Sequence, residues 1–206
     1  MTFMRLLAFA ALVVAALAAP LADNGELIPG YKIVDLEWSV QAFPNGEYIN
    51  VTGTVEEMIA HLNTINPDYE KNVLAAANMT QLAMGAGEHK KTGELEDGES
   101  WHTCFQQWPE AWAKRIYEGI VYLDGIEGVP TMDAGPGNCQ RVSCSYDSAI
   151  YWCNDNLVPL TLQAWRDVAW GAYIIYRQCR DATRDKTSGQ VFFLQDWNVV
   201  VRGERC

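Results

Sequence analysis

Residues 138–155 read NCQRVSCSYDSAIYWCND, and this stretch decides how the C-terminal half of the chain folds. Val142, Cys144 and Tyr146 alternate with serines, which is the pattern of a half-buried strand. The more apolar run that follows Ser148 predicts a second strand, joined to the first by a tight turn. The stretch therefore predicts a β-hairpin that contains three cysteines.

The flanking sequence predicts one helix on each side of this hairpin. Upstream, residues 101–105 predict a short strand, and apolar residues at helical spacing predict a helix from about Pro109 to Gly125. Downstream, an apolar stripe that reaches Cys179 predicts a longer helix, and two β-rich runs between 189 and 202 predict buried strands. The order βαββαββ predicts an α+β fold, an α/β sandwich in which both helices cover one face of an antiparallel sheet.

All six cysteines lie after residue 103, within the region that contains this fold. An even number of cysteines is typical of a disulfide framework in a secreted domain, so we predict three disulfides, although the spacing does not select a pairing. The chain has no Cys-x-x-Cys pair and three histidines, a poor fit to a zinc site, and we predict neither a metal nor a cofactor. The cysteines are Cys104, Cys139, Cys144, Cys153, Cys179 and Cys206.

The first 18 residues have the layout of a secretory signal peptide. Arg5 precedes an uncharged apolar run that ends in small residues, and we predict cleavage between Ala18 and Ala19. The run is short for a membrane anchor, which is the alternative, so we expect a secreted, extracellular protein without a transmembrane segment. The sequons at Asn50 and Asn78 are then candidate sites of N-glycosylation.

Residues 19–82 contain no cysteine and predict a small ββα unit. Alternating apolar residues around Trp38 predict one strand, and residues 48–52 predict the strand that returns after a turn. Thr54 and Glu57 have the spacing of a capping box, which predicts a helix start. A core of this size is marginal without disulfides.

Residues 83–100 are rich in glycine and charged residues, which is typical of an exposed linker. The dibasic pair Lys90-Lys91 is a candidate processing site, and a pair of solvated lysines is the alternative. The segment 19–82 is therefore either a pro-segment that is removed or an accessory layer that stays on the disulfide-rich domain 101–206. We favour the pro-segment and expect residues 92–206 to fold without it.

These motifs resemble those of fungal small secreted cysteine-rich proteins. The resemblance is carried by residues 138–155, by the helix that ends at Cys179, by the tail 189–206 and by the leader element 53–57. The βαββαββ order is more distantly similar to killer-toxin-like and necrosis-inducing effector folds, some of which are cut at dibasic sites. The resemblance implies a secreted effector and implies no catalytic residue in this chain.

Composition and motifs favour a binding protein over an enzyme. The net charge of −11 argues against nucleic acid as a partner, and the chain has no G-x-S-x-G, H-E-x-x-H or phosphate-binding loop. We expect a non-enzymatic effector or killer-toxin-like protein that binds an extracellular protein, glycan or membrane. One alternative is a secreted hydrolase that uses His102, Asp147 and Asp155. The other is a cell-wall-associated structural or glycan-binding protein.

Overall fold

The computed structural model describes residues 27–79 and 100–206. The predicted signal peptide with its Ala18–Ala19 cleavage site lies outside these described residues, as do the linker residues 83–99 and the Lys90-Lys91 pair, and all of these stay predictions. None of the helices in the described ranges combines the length and the apolar character that a membrane crossing needs.

The described part of the chain contains four helices and twelve strands. The helices are α1 (Val55–Ile65), α2 (Tyr69–Ala76), α3 (Ala113–Gly125) and α4 (Trp165–Cys179). The strands are β1 (Lys32–Val34), β2 (Glu37–Gln41), β3 (Tyr48–Thr52), β4 (Ser100–Cys104), β5 (Ala111–Trp112), β6 (Thr131–Met132), β7 (Asn138–Ser145), β8 (Ser148–Asn154), β9 (Leu160–Thr161), β10 (Lys186–Thr187), β11 (Gly189–Phe193) and β12 (Trp197–Gly203).

A six-stranded sheet in the order β1-β7-β8-β12-β11-β4 forms the centre of the molecule. The predicted hairpin is β7–β8, and β8, β12, β11 and β4 continue it with antiparallel neighbours. Helices α3 and α4 pack on one face, where Ile120 and Val168 share a core with Trp152 and Val199. The predicted disulfide-stabilised α+β fold is confirmed.

The six cysteines form three disulfides, as predicted, and the structure supplies the pairing. Cys104–Cys179 links the edge strand β4 to the end of α4, across 75 residues of sequence. Cys139–Cys153 links neighbouring strands within the β7–β8 hairpin. Cys144–Cys206 holds the segment that follows β12 against β7.

The N-terminal segment is part of the same packed structure. Strand β1 pairs in parallel with β7, so it adds a sixth strand to a sheet that the C-terminal part supplies with five. Trp38 of β2 is 1% exposed, and its ring centroid lies 4.3 Å from that of Trp165 in α4. The described residues 27–79 therefore form a layer on the disulfide-rich domain. Proteolytic removal of this layer stays a prediction.

A half-buried carboxylate, that of Glu56, links α1 to an irregularity in β7. The β7–β8 register shifts between Arg141 and Ser143, which marks a β-bulge. One Glu56 oxygen accepts a hydrogen bond from the Ser143 hydroxyl at 2.5 Å, and the other accepts one from the Cys144 N–H at 3.0 Å. Burial raises the pKa of Glu56. The N-terminal segment thus satisfies polar groups of the central hairpin.

We predict that Glu56→Ala lowers the free energy of unfolding by about 1–3 kcal/mol, because it leaves two buried donors unpaired. Glu56→Gln is the matched control, since without a charge its carbonyl oxygen can accept from the Cys144 N–H while its NH2 donates to the Ser143 hydroxyl oxygen. The raised pKa means that the folded state holds the proton more tightly, so the wild type loses stability as pH rises from the unfolded to the folded pKa. Urea titrations at several pH values should show that the free energy of unfolding of Glu56→Gln lacks this decrease with rising pH. Equal stability of all three proteins would contradict the prediction.

The structure corrects one predicted helix boundary. Helix α3 begins at Ala113 and not near Pro109, because residues 111–112 form β5 and pair with β10. Outside the helix, Glu110 accepts two hydrogen bonds from Arg184, at 2.8 and 2.9 Å. This ion pair is long-range in sequence, so the helical spacing around Pro109 could not reveal it.

Candidate binding cleft

A cleft of about 360 Å³ lies where the N-terminal segment meets the loop that follows α3. Its walls come from the β2–β3 hairpin, from α2 and from residues 125–128. Its volume falls within the range of about 300–1,000 Å³ that is usual for small-molecule sites. We name it the aromatic cleft, because Phe43, Tyr48 and Tyr69 all line it.

The hairpin turn that bears Phe43 is held by local hydrogen bonds. The Gly46 N–H donates to the Phe43 carbonyl at 2.9 Å, and the Gln41 amide donates to the Gly46 carbonyl at 2.5 Å. Asn45 has a φ of 60°, a left-handed conformation that asparagine tolerates in turns. The buried amide of Asn66 donates to the Ala42 carbonyl at 2.6 Å. These bonds fix the backbone on both sides of Phe43, which is 51% exposed.

The other two rings come from β3 and from the start of α2. Tyr48 begins β3 opposite Gln41 and is 70% exposed. Tyr69 is the first residue of α2, and its N–H donates to the Asn66 carbonyl at 2.9 Å. None of the three rings pairs with another aromatic ring or with a cation among the described residues. Within the described part of the chain, Phe43 and Tyr48 are exposed, whereas Tyr69 is half-buried and packs against the core.

The floor of the cleft is apolar and depends on a close helix contact. Val40, Ala42, Val73 and Ile126 line it and are buried. A Cβ at Gly125 would collide with the Val73 carbonyl, so only glycine lets the end of α3 approach α2 this closely. This close approach brings the next two residues, Ile126 and Glu127, into the lining of the cleft.

The lining of the aromatic cleft contains one charged residue, the exposed Glu127. Burial and the nearby Glu127 carboxylate raise the pKa of Tyr69, so this phenol stays neutral near neutral pH. The remaining polar lining side chains are those of Ser39, Gln41 and Asn72. Rings, amides and one carboxylate are groups that bind and orient a ligand, and this lining contains no paired acid and base.

The three residues of the hydrolase alternative do not come together. His102 lies on the edge strand β4, where it pairs with Val191. Asp147 lies in the β7–β8 turn with a φ of 57°, and Asp155 follows the opposite end of β8. A strand of seven residues is roughly 23 Å long, and the two aspartates flank its opposite ends. Asp155 also accepts a hydrogen bond from the Asn198 amide at 2.7 Å.

His102 also lies close to the sulfur atoms of Cys104 and Cys179. Potential ligand atoms of the three residues lie within 4.8 Å of one another. The two sulfurs are joined in a disulfide, so neither is a thiolate that could bind a metal ion.

Most tryptophans belong to the core, and the exposed aromatic residues outside the cleft have partners. Six of the eight tryptophans are buried, and the two exposed ones are Trp101 and Trp112. Trp101 stacks on Phe192 with ring centroids 5.2 Å apart, and the Lys186 ammonium lies 3.1 Å from the centroid of Trp112. The guanidinium carbon of Arg115 lies 3.8 Å from the centroid of the Tyr146 ring.

Both predicted glycosylation sites are exposed. Asn50 lies on β3 opposite Ser39, which lines the aromatic cleft, so a glycan there would stand beside the cleft. Asn78 follows α2, and its N–H donates to the Asp124 carboxylate at 2.5 Å. Glycosylation at either asparagine stays a prediction.

The sequence interpretation missed the cleft because its rings lie in the segment that was expected to be removed. One signal was present: Tyr48 is a large aromatic residue on a strand face that otherwise shows Asn50 and Thr52. Comparison of the chain with models of known families, with curated proteins and with solved structures finds no match.

Proposed function

We propose that the protein is a secreted effector or killer-toxin-like protein that acts by binding an extracellular target at the aromatic cleft. The observation that carries the proposal is the set of three rings, from Phe43, Tyr48 and Tyr69, that line one cleft and have no aromatic or cationic partner among residues 27–79 and 100–206. Aromatic side chains bury large areas at low entropic cost and dominate many binding sites.

Two features support secretion. Three disulfides persist in oxidising compartments, which include the extracellular space. The sequence also begins with the pattern of a signal peptide. The resemblance of residues 138–155 to fungal secreted proteins also supports secretion.

Binding is favoured over hydrolysis because of the geometry of the candidate groups. Asp147 and Asp155 lie at opposite ends of β8, whereas a glycosidase that uses two carboxylates needs them on both sides of one glycosidic bond. The wall-associated alternative would use the same aromatic cleft, and it differs from the effector proposal only in the target.

We predict that Tyr48→Ala weakens binding to the extracellular target by about 5–30-fold, the loss of about 1–2 kcal/mol that a central aromatic contact supplies. The chain from residue 19 to residue 206, which contains the cleft, would be tested against immobilised wall polysaccharides, phospholipid vesicles and live cells, with a toxicity assay on the same cells. Tyr146→Ala is the matched control, because both side chains are 70% exposed and Tyr146 lies outside the cleft. Thermal unfolding would verify that both variants fold.

Three outcomes would separate the alternatives. Binding that falls with Tyr48→Ala and survives Tyr146→Ala supports the cleft, and the type of surface identifies the target. If only Trp101→Ala abolishes binding, the binding site lies on the edge strand β4 and not in the cleft. Product release from a polysaccharide without stable binding would favour the hydrolase.

A further inference from the structure

We infer that the aromatic cleft selects an organic cation, specifically a quaternary ammonium group. This inference rests on the proposed function, since it names the chemical class of ligand for the same cleft. Three observations carry it: the charge of the lining, the rings that hold no cation among the described residues, and the apolar floor with Glu127 beside it.

The charge of the lining excludes anions and favours cations. Among the described residues that line the cleft, Glu127 is the one charged residue, and none is a lysine or arginine. The whole chain has a net charge of −11, so the surrounding field also repels anions and attracts cations. Anion recognition relies on Arg, Lys or backbone N–H clusters, and the described lining offers a phosphate or carboxylate no positive side chain.

The rings supply the second part of the recognition. The face of an aromatic ring attracts a cation by its quadrupole, and the attraction strengthens when water is displaced. The lining provides three such rings on different elements: the hairpin turn, β3 and the start of α2. Elsewhere in the molecule, exposed rings already hold cations of the chain, as Trp112 holds Lys186 and Tyr146 holds Arg115. The rings of the cleft hold none among the described residues.

The position of Glu127 places a negative charge beside one of these rings. Glu127 and Tyr69 both line the cleft, and burial together with the Glu127 charge raises the pKa of the Tyr69 phenol. An ammonium group in the cleft would therefore meet a ring and a carboxylate together. The apolar floor of Val40, Val73 and Ile126 suits methyl groups, and this favours a quaternary ammonium over a strongly hydrated primary one.

The decisive experiment compares a cation with its neutral analogue of the same shape. The full chain would be titrated by calorimetry with choline and with 3,3-dimethylbutan-1-ol, which replaces the charged nitrogen by carbon, at constant ionic strength. We expect choline to bind at least tenfold more tightly. A second arm with phosphatidylcholine vesicles distinguishes a lipid headgroup from free choline as the source of the ammonium.

Matched variants assign the effect to the cleft. Glu127→Gln should weaken choline binding at least threefold and leave the neutral alcohol unaffected. Glu47→Gln removes the same charge from an exposed position outside the lining and should change neither. Tyr48→Ala should weaken choline binding at least fivefold, and Tyr146→Ala should not. The same titrations after enzymatic removal of any N-glycan exclude a covering effect at Asn50.

Equal affinity for choline and the alcohol would overturn the inference, because it would make the cleft merely apolar. Binding of neutral sugars such as chitotriose in place of choline, with the same loss on Tyr48→Ala, would also overturn it and leave the proposed function standing. If no small ligand binds and target binding is unaffected by Tyr48→Ala, both the inference and the proposed function are overturned. The two failures are therefore distinguishable.

Discussion

Residues 92–206, once separated from residues 19–91, are expected to lose cooperative thermal unfolding. The reason is the layer that the N-terminal segment forms: β1 completes the sheet, and Trp38 packs on Trp165. Fully burying a large apolar side chain stabilises a fold by roughly 1.5–3 kcal/mol. Losing several of them removes much of the about 5–15 kcal/mol by which domains are stable. Five such side chains of this segment in the shared core are Leu36, Trp38, Val55, Met58 and Leu62.

The experiment begins with the folded full-length chain, cut at Lys90-Lys91. The two pieces should still elute together in native buffer, because no contact in the described ranges is broken by the cut. Separation in denaturant followed by refolding of residues 92–206 alone should give a fragment without a cooperative melt. This expectation replaces the one drawn from the sequence, that the C-terminal part folds without the leader. A fragment that melts like the intact protein would restore the earlier expectation.

A point substitution tests the same layer without cutting the chain. Trp38→Ala should lower the free energy of unfolding by about 3–5 kcal/mol, the usual cost of a buried tryptophan. Trp101→Ala is the matched control, because Trp101 is 55% exposed whereas Trp38 is 1% exposed. Urea titration of the three proteins gives the comparison. Similar losses in both variants would show that the N-terminal layer contributes little.

Removal of the Cys104–Cys179 disulfide is expected to cost about 4–5 kcal/mol. The bond closes a loop of 75 residues in sequence, and the stabilisation grows with the length of the loop that is closed. It also anchors β4, which has one strand neighbour, β11, in the sheet. The variant should replace both cysteines by alanine, so that no unpaired thiol remains. We expect poor secretion and a large fall in melting temperature.

The matched control removes the Cys139–Cys153 bond in the same way. Its sequence separation is 14, and its two strands stay paired by the β7–β8 ladder, so we expect a smaller loss of about 3 kcal/mol. Differential scanning calorimetry of both double variants under non-reducing conditions provides the measurement. A larger loss for the hairpin bond, or an unchanged melt without Cys104–Cys179, would contradict the role assigned to the long loop.

The sequence by itself determined the local elements and the type of fold. Alternation of apolar and polar residues in 138–155 predicted the central hairpin, because strand side chains alternate between faces. The capping box of Thr54 and Glu57 is present as predicted, with the Thr54 N–H donating to Glu57 at 2.7 Å. The even cysteine count predicted three disulfides. Each of these follows from interactions within a few residues or from composition.

Only the tertiary structure decided how the two parts of the chain meet and where a ligand can bind. The parallel pairing of β1 with β7 and the bonds of Glu56 to Ser143 join groups about 100 residues apart, and no periodicity encodes such partners. The aromatic cleft likewise needs three separate elements to converge on one space, held by the close approach at Gly125. Long-range packing, not local propensity, makes the N-terminal segment a layer of this fold and a wall of its candidate site.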